Sequence, residues 1–122
     1  MDTIKLYERS ASEVFENHLQ LAREGKLEED IVNNMAIDIV LLTNYGTFRG
    51  HEGVREAANL LNTQLPDGSY EYKLKLWHEN ICFLHWTGDS EISYIVDGAD
   101  SFLIENGKIR IQTIFYTVKN KN

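Results

Sequence analysis

The lone proline, Pro66, followed by Asp67-Gly68, divides this chain into two kinds of patterning, and that division constrains the fold more than any other feature. Before it, apolar residues recur mostly at helical spacing. After it, they fall into short alternating or continuous runs that strands satisfy and helices do not. Helices followed by an antiparallel meander give α+β architecture with segregated layers. The 122 residues, 43% hydrophobic, suit one compact domain spanning 1–122, with neither a repeat nor a Ser/Gly-rich linker to divide it.

Ser10 followed by Glu13 is a capping box, in which each side chain satisfies an orphan backbone N–H at a helix start. Val14, His18, Leu21 and Ala22 then recur at i, i+4, i+7 and i+8, flanked by Phe15 and Leu19, so a histidine sits in the middle of an apolar stripe. Gly25 can supply a left-handed cap, which predicts a helix over about 10–24. Leu27, Ile31 and Met35 predict a shorter second helix, and Val54, Ala57, Ala58, Leu61 and Leu65 a third that Pro66 stops. Between them, Asp38 to Thr43 is a nearly continuous apolar run, expected to be a strand buried on both faces, with Thr47-Phe48-Arg49 as a short return strand.

In the second half, Tyr70 to His78 alternates, placing Tyr72, Leu74 and Leu76 on one expected face. Ile81 to Trp86 is apolar almost throughout, and Gly88-Asp89 predicts a hairpin turn. Glu91 to Glu105 is one long extended segment with an expected bulge at Asp97-Gly98. Asn106-Gly107 is the strongest hairpin signal, because both residues tolerate the positive φ of a type I′ turn. The last strand, Lys108 to Val118, carries large apolar groups on both expected faces, Ile109/Ile111/Phe115 and Ile114/Tyr116. Helices can cover one face; a second copy of the chain is the economical cover for the other, which predicts a homodimer through the sheet. A long bent sheet wrapped around one helix makes a cone, and an open cone is a natural pocket.

The net charge of −7 argues against nucleic acid or an anionic membrane as partner. The single cysteine, Cys82, cannot form an internal disulfide. The opening MDTIKLYERS has no apolar core, and no apolar run approaches a membrane span, so a cytoplasmic location is expected. Cys82 lies in an apolar strand with no adjacent base and reads as a structural thiol. His51, His78 and His85 lack ligand spacing, so neither metal nor cofactor is expected. Gly46, Gly50 and Gly53 read as turn glycines, and Trp77 and Trp86 as core or interface aromatics.

The order of these elements, with Gly25-Lys26-Leu27-Glu28, Asn34 to Val40, Gly46 to Val54, Asp100 to Ile104 and Asn106 to Ile109, resembles the nuclear transport factor 2-like superfamily. The likeness spans residues 8–118 and lies nearest the SnoaL-like polyketide-cyclase and ketosteroid-isomerase-like branch. It implies three helices on a strongly curved, mostly antiparallel sheet, a cone-shaped cavity, and dimerisation through the sheet. Since this superfamily includes isomerases, cyclases, dehydratases and non-catalytic adaptors, function must be argued from residues.

In the isomerase branch the counterpart of Asp100 sits in the cavity and stays protonated to donate to an oxyanion. Alternation puts Asp100 on the face of Phe102 and Ile104, which supports an inward carboxyl; a bulge-associated Asp bonded to backbone or solvent is the competing reading. His18 stands where the isomerases carry a Tyr, and is either an acid/base poised near neutrality or a satisfied core histidine. Gln112 and Tyr116 share an expected cavity face and could orient a ligand carbonyl or serve structural hydrogen bonds. Phe15, Phe102, Ile114 and Thr43 complete the expected lining. Thr43, with Asn44 next, stands where the isomerases place their general-base aspartate, and neither residue can abstract a carbon-bound proton at neutral pH. Steroid-type isomerisation by that base is therefore disfavoured. What survives is His18 with Asp100 as the acid/base pair of a cyclase, dehydratase or isomerase acting on a small apolar carbonyl or hydroxyl compound. The alternative is a non-catalytic dimer that binds a protein or fills its cone with side chains.

Overall fold

The structure, a computed structural model, describes residues 5–122; the first four residues of the opening discussed above lie outside that range. After a single 3-10 turn at Leu6–Glu8, the elements run α1 (Ala11–Arg23), α2 (Leu27–Asn34), β1 (Met35–Thr43), β2 (Gly46–Arg49) and α3 (Gly50–Gln64). The second half is β3 (Ser69–His78), β4 (Ile81–Asp89), β5 (Ser93–Glu105), β6 (Lys108–Phe115) and β7 (Lys119–Asn120). The sheet is open, in the order β2-β1-β6-β5-β4-β3, with β7 added to β5. β1 runs parallel to β6 and the other pairs are antiparallel.

Local chemistry sets the helix ends. Ser10 and Glu13 form the full capping box. At the other end Gly25 takes φ +72°, while its N–H bonds to Ala22 and that of Lys26 to Leu21, closing a Schellman motif. This sharp stop lets α2 fold back beside α1. The acids Glu28, Glu29 and Asp30 fill the first turn of α2, where the helix dipole favours negative charge. Asn106 and Gly107, at φ +52° and +72°, make the two-residue β5–β6 turn.

The sheet is bent by bulges. Lys73 is an extra residue between the Tyr72–Trp86 and Leu74–His85 pairs. Val96 and Asp97 together face Thr87, and Arg110 is extra between the Leu103–Ile111 and Ile104–Ile109 pairs. Each shifts the alternation by one and sends later side chains to the other face. The bulge at Asp97-Gly98 agrees with the sequence; the other two correct it. Tyr72 faces inward, but Leu74 and Leu76 are on the outer face with Phe83 and are about half exposed. Likewise Ile109 is buried while Ile111 and Phe115 point outward.

Three further expectations need correction. β1 is buried on one face only: Ile39 and Leu41 face the core while Ile37 and Leu42 are exposed, because no described element of the chain covers the outer face. Gly88-Asp89 is not a turn but the end of β4; the chain reverses around Ser90, whose hydroxyl accepts from the N–H of Ser93. The last long strand stops at Phe115, and the chain returns as β7 to pair with Ser93 and Tyr94.

The core lies between the three helices and the concave face, around Val14, Phe15, Ile31, Ile39, Phe102 and Ile109. Phe15 and Phe102 pack ring against ring at 5.3 Å. Cys82 is buried there, and burial pushes its thiol up to about 11. No described helix is long and apolar enough to cross a membrane.

Candidate functional site

The concave face does not fill completely. A cavity of about 290 Å³, at the low end of the range for small-molecule pockets, lies between α1, α2 and α3 on one side and the sheet on the other. Of the residues singled out in the sequence, His18, Asp100, Gln112, Tyr116, Ile114 and Thr43 line it. Phe15 and Phe102 do not. They sit one layer deeper, and the Phe102 ring meets His18 edge-on at 5.4 Å, so they support the site without lining it.

The sheet wall is built around Asp100. The Val96-Asp97 bulge resets the alternation so that Gly98, Asp100, Phe102 and Ile104 point inward. Gly98 is required because a Cβ there would collide with the indole of Trp86, which lies over it. That close approach brings the Trp86 Nε1–H to Asp100 Oδ1, donating at 2.9 Å. Gln112 Nε2 donates to the other oxygen at 3.1 Å. Asp100 is buried, and burial pushes its carboxyl up to about 6 even though the two donors and the neighbouring His18 pull it down. Both carboxyl oxygens are thus bonded to side chains of the sheet wall rather than to backbone.

The helical wall is built around His18. Its Nδ1 is hydrogen-bonded to Asp30 Oδ2 at 2.8 Å, and both groups are buried. Burial works against the charged imidazole, but the charge and hydrogen bond of Asp30, helped by the charge of Asp100, override it and hold the pKa above its ordinary value. His18 and Asp100 thus share the cavity and influence each other's charge, but the hydrogen-bonded partner of His18 is Asp30, not Asp100.

Three further polar groups of the lining, on Tyr116, Thr43 and Tyr72, are already engaged, and a fourth, on Tyr70, is not. The Tyr116 hydroxyl donates to Gln64 Oε1, and the Tyr116 ring packs at a tilt against both Tyr45 and Trp86. The Thr43 hydroxyl donates to the Gly46 carbonyl and accepts from the Tyr45 N–H, so it serves the β1–β2 turn. Tyr72 donates to the Leu19 carbonyl, and burial pushes its phenol up to about 12. The Tyr70 hydroxyl is buried with no hydrogen-bond partner among the described residues. Leu19, Ala57, Ala58 and Leu61 supply an aliphatic wall opposite the aromatic one.

Sequence reasoning missed Asp30, Gln64 and Tyr70. It placed Trp86 as a core or interface aromatic without seeing its bond to Asp100, and Trp77 proves half exposed. Asp30 had one legible signal: with Asn34 it forms an i, i+4 polar pair beside the Leu27/Ile31 stripe. Among the described residues no group of three or more His, Cys, Asp or Glu is placed to hold a metal ion.

No family model matches the chain, and no curated protein matches it. Solved structures do. A candidate ketosteroid isomerase from Kribbella flavida superposes with TM-score 0.73 at 13% identity, covering 92% of this chain and 81% of its own. A candidate SnoaL-like polyketide cyclase from Mesorhizobium loti gives TM-score 0.67 at 15% identity over 88% of this chain and 100% of its own. An uncharacterised cystatin-fold protein from Novosphingobium aromaticivorans gives 0.72 at 13% identity, over 87% and 97% respectively. At such identities the likeness concerns architecture: the chain has the nuclear transport factor 2-like, cystatin-type α+β fold.

Proposed function

We propose that the cavity binds a small, mostly apolar molecule bearing a carbonyl or hydroxyl group, and that His18 and Asp100 carry a proton transfer on it. The observation that supports this reading is the pair His18 and Asp100, each with its pKa raised, on a largely apolar and aromatic lining that contains neither lysine nor arginine. An anionic ligand would meet two buried carboxyls with one imidazole to offset them; a neutral one meets donors and acceptors. With His18 charged and Asp100 ionised, a dehydration balances directly. Asp100 accepts the proton on carbon as His18 protonates the departing hydroxyl, water leaves, and exchange between the two groups restores them. Cyclisation or isomerisation draws on the same acid and base. The structural neighbours, which include a candidate cyclase and a candidate isomerase, are compatible with this class.

Homodimerisation belongs to the same proposal. Leu76, Phe83, Ser101, Thr113 and Leu42 follow one another across the outer face, with exposed Ile81, Ile111 and Phe115 beside them. So wide an apolar face suits a second copy. A cytoplasmic location fits the lone buried thiol. A non-catalytic dimer is the second reading, favoured by the internal partners that Asp100 and Tyr116 already have. Native mass spectrometry of the purified protein, followed by mild denaturation, tests both. A released apolar metabolite at the dimer mass supports the enzyme reading. An apo dimer that stays empty after incubation with a metabolite library supports the second.

A further inference from the structure

The most completely determined polar arrangement in the molecule lies behind His18. Arg9 can only donate, and its Nη1 donates to Asn34 Oδ1 at 2.9 Å while Nη2 donates to the Asn33 and Gly107 carbonyls. This fixes the Asn34 amide: its oxygen faces Arg9, so its Nδ2 must face the other way. There it donates to Asp30 Oδ1 at 2.8 Å and to Asn17 Oδ1 at 2.9 Å, which uses both of its hydrogens. Asn34 is fully buried and Asp30 is 2% exposed, so neither group has water as an alternative partner. Asp30 Oδ1 is occupied by the amide, and Oδ2 faces His18 Nδ1.

We propose that Asp30 is the positioning residue of His18, held by Asn34 and Arg9 so that the neutral imidazole carries its proton on Nδ1 and presents the Nε2 lone pair to the cavity. This rests on the functional reading given above and deepens it, by naming the reacting atom and the group that selects it. Nε2 has no hydrogen-bond partner among the described residues, and it is the ring nitrogen left for a bound molecule. The ligand that fits it is one with a hydroxyl or enol O–H: a donor to neutral His18 and an acceptor from charged His18 through the same atom. The other titratable groups around the cavity are Asp100 from β5, Tyr72 and Tyr70 from β3, Tyr45 from the β1–β2 turn, and Tyr116 after β6. None of these is hydrogen-bonded to the ring.

The variant Asp30→Asn makes a sharp test because the chain of donors leaves it one orientation. Asn34 still donates, so the new amide must turn its oxygen towards Asn34 and its NH₂ towards His18 Nδ1. A donor facing Nδ1 forces the proton onto Nε2, the reverse tautomer. Nitrogen-15 NMR of the protein labelled at histidine reads both ring nitrogens of His18 without any substrate. In the wild type, neutral His18 should show a protonated Nδ1 and a bare Nε2. In D30N the assignment should invert, and the titration midpoint should fall by about 1–3 pH units once the opposite charge is gone. The same tautomer and midpoint in both proteins would overturn the proposal. Should D30N fail to fold, the wild-type spectrum decides alone: a neutral His18 protonated on Nε2 contradicts it. Because this readout needs no ligand, an empty cavity would remove the functional reading and leave the positioning of His18 standing.

Discussion

The two walls of the cavity each bury one carboxyl, and they treat it in opposite ways. On the helical wall Asp30 is hydrogen-bonded to the His18 imidazole and is braced by an amide. On the sheet wall Asp100 faces only neutral donors, the Trp86 indole and the Gln112 amide, and burial pushes it up to about 6. The helical arrangement favours the charged imidazole and raises its pKa. The sheet arrangement lets a carboxyl gain or lose its proton near neutrality. One apolar cavity can therefore hold a proton donor and a proton acceptor at the same pH, which identical surroundings would prevent.

The comparison is broken most severely by Asp30→Ala. Removing one partner of a buried pair leaves His18 and an Asn34 N–H without acceptors, and urea unfolding at neutral pH should show a loss of about 3 kcal/mol. Trp86→Phe acts on the other wall and should cost about 1–2 kcal/mol. Because it removes a donor that favours the carboxylate, the Asp100 midpoint followed by carbon-13 NMR should rise above its wild-type value. An unchanged midpoint would mean that the indole does not control Asp100.

The dependence of stability on pH sharpens the contrast. Asp100 has its folded pKa raised, so the fold binds its proton more tightly than the unfolded chain does. Its contribution is full below the ordinary 3.8 and is lost as pH rises to about 6. His18 is also raised, so its contribution is full below 6.5 and is lost as pH climbs through its folded value. Asp100→Asn should flatten the first window relative to wild type and His18→Gln the second. At pH 7 the Asp100→Asn protein should be more stable by about 1 kcal/mol, since a buried charge is gone and Gln112 can turn its amide to accept. The smallest effect belongs to Thr43→Val, whose hydroxyl serves a surface turn. It should change stability by about 0.5 kcal/mol or less and leave both titrations where they were.

Most of the fold was legible because its signals are local. Ser10 with Glu13, Gly25, Pro66 and Asn106-Gly107 each act through their own or adjacent backbone, and each does what its chemistry predicts. What escaped depends on partners far along the chain. The bulges at Lys73 and Arg110 exist only relative to β4 and β5, so simple alternation grouped Leu74 and Leu76 with inward Tyr72, and buried Ile109 with outward Ile111 and Phe115. The exposed side of β1 reads as core in sequence because apolar residues occur on surfaces as well as in interiors. At the site, His18 and Asp100 stood out as polar residues inside apolar patterns. Asp30 did not, because three acids in the first turn of α2 look like a solvated, dipole-matched run. Its burial becomes visible only once α1 and α2 lie side by side.

The central claim is that this cavity admits a small neutral molecule beside the Asp100 cluster, and the two indoles report on it separately. Trp86 lines the cavity and donates to Asp100, whereas Trp77 is half exposed and lies outside the cavity lining. A titration of the nitrogen-15-labelled protein with 1-naphthol, an apolar molecule with one hydroxyl, follows both indole N–H signals at once. The account predicts a saturable shift of the Trp86 signal, with the Gln112 side-chain amide moving alongside it and Trp77 unmoved. A stationary Trp86 signal, or movement confined to Trp77 and residues of the outer face, would contradict it.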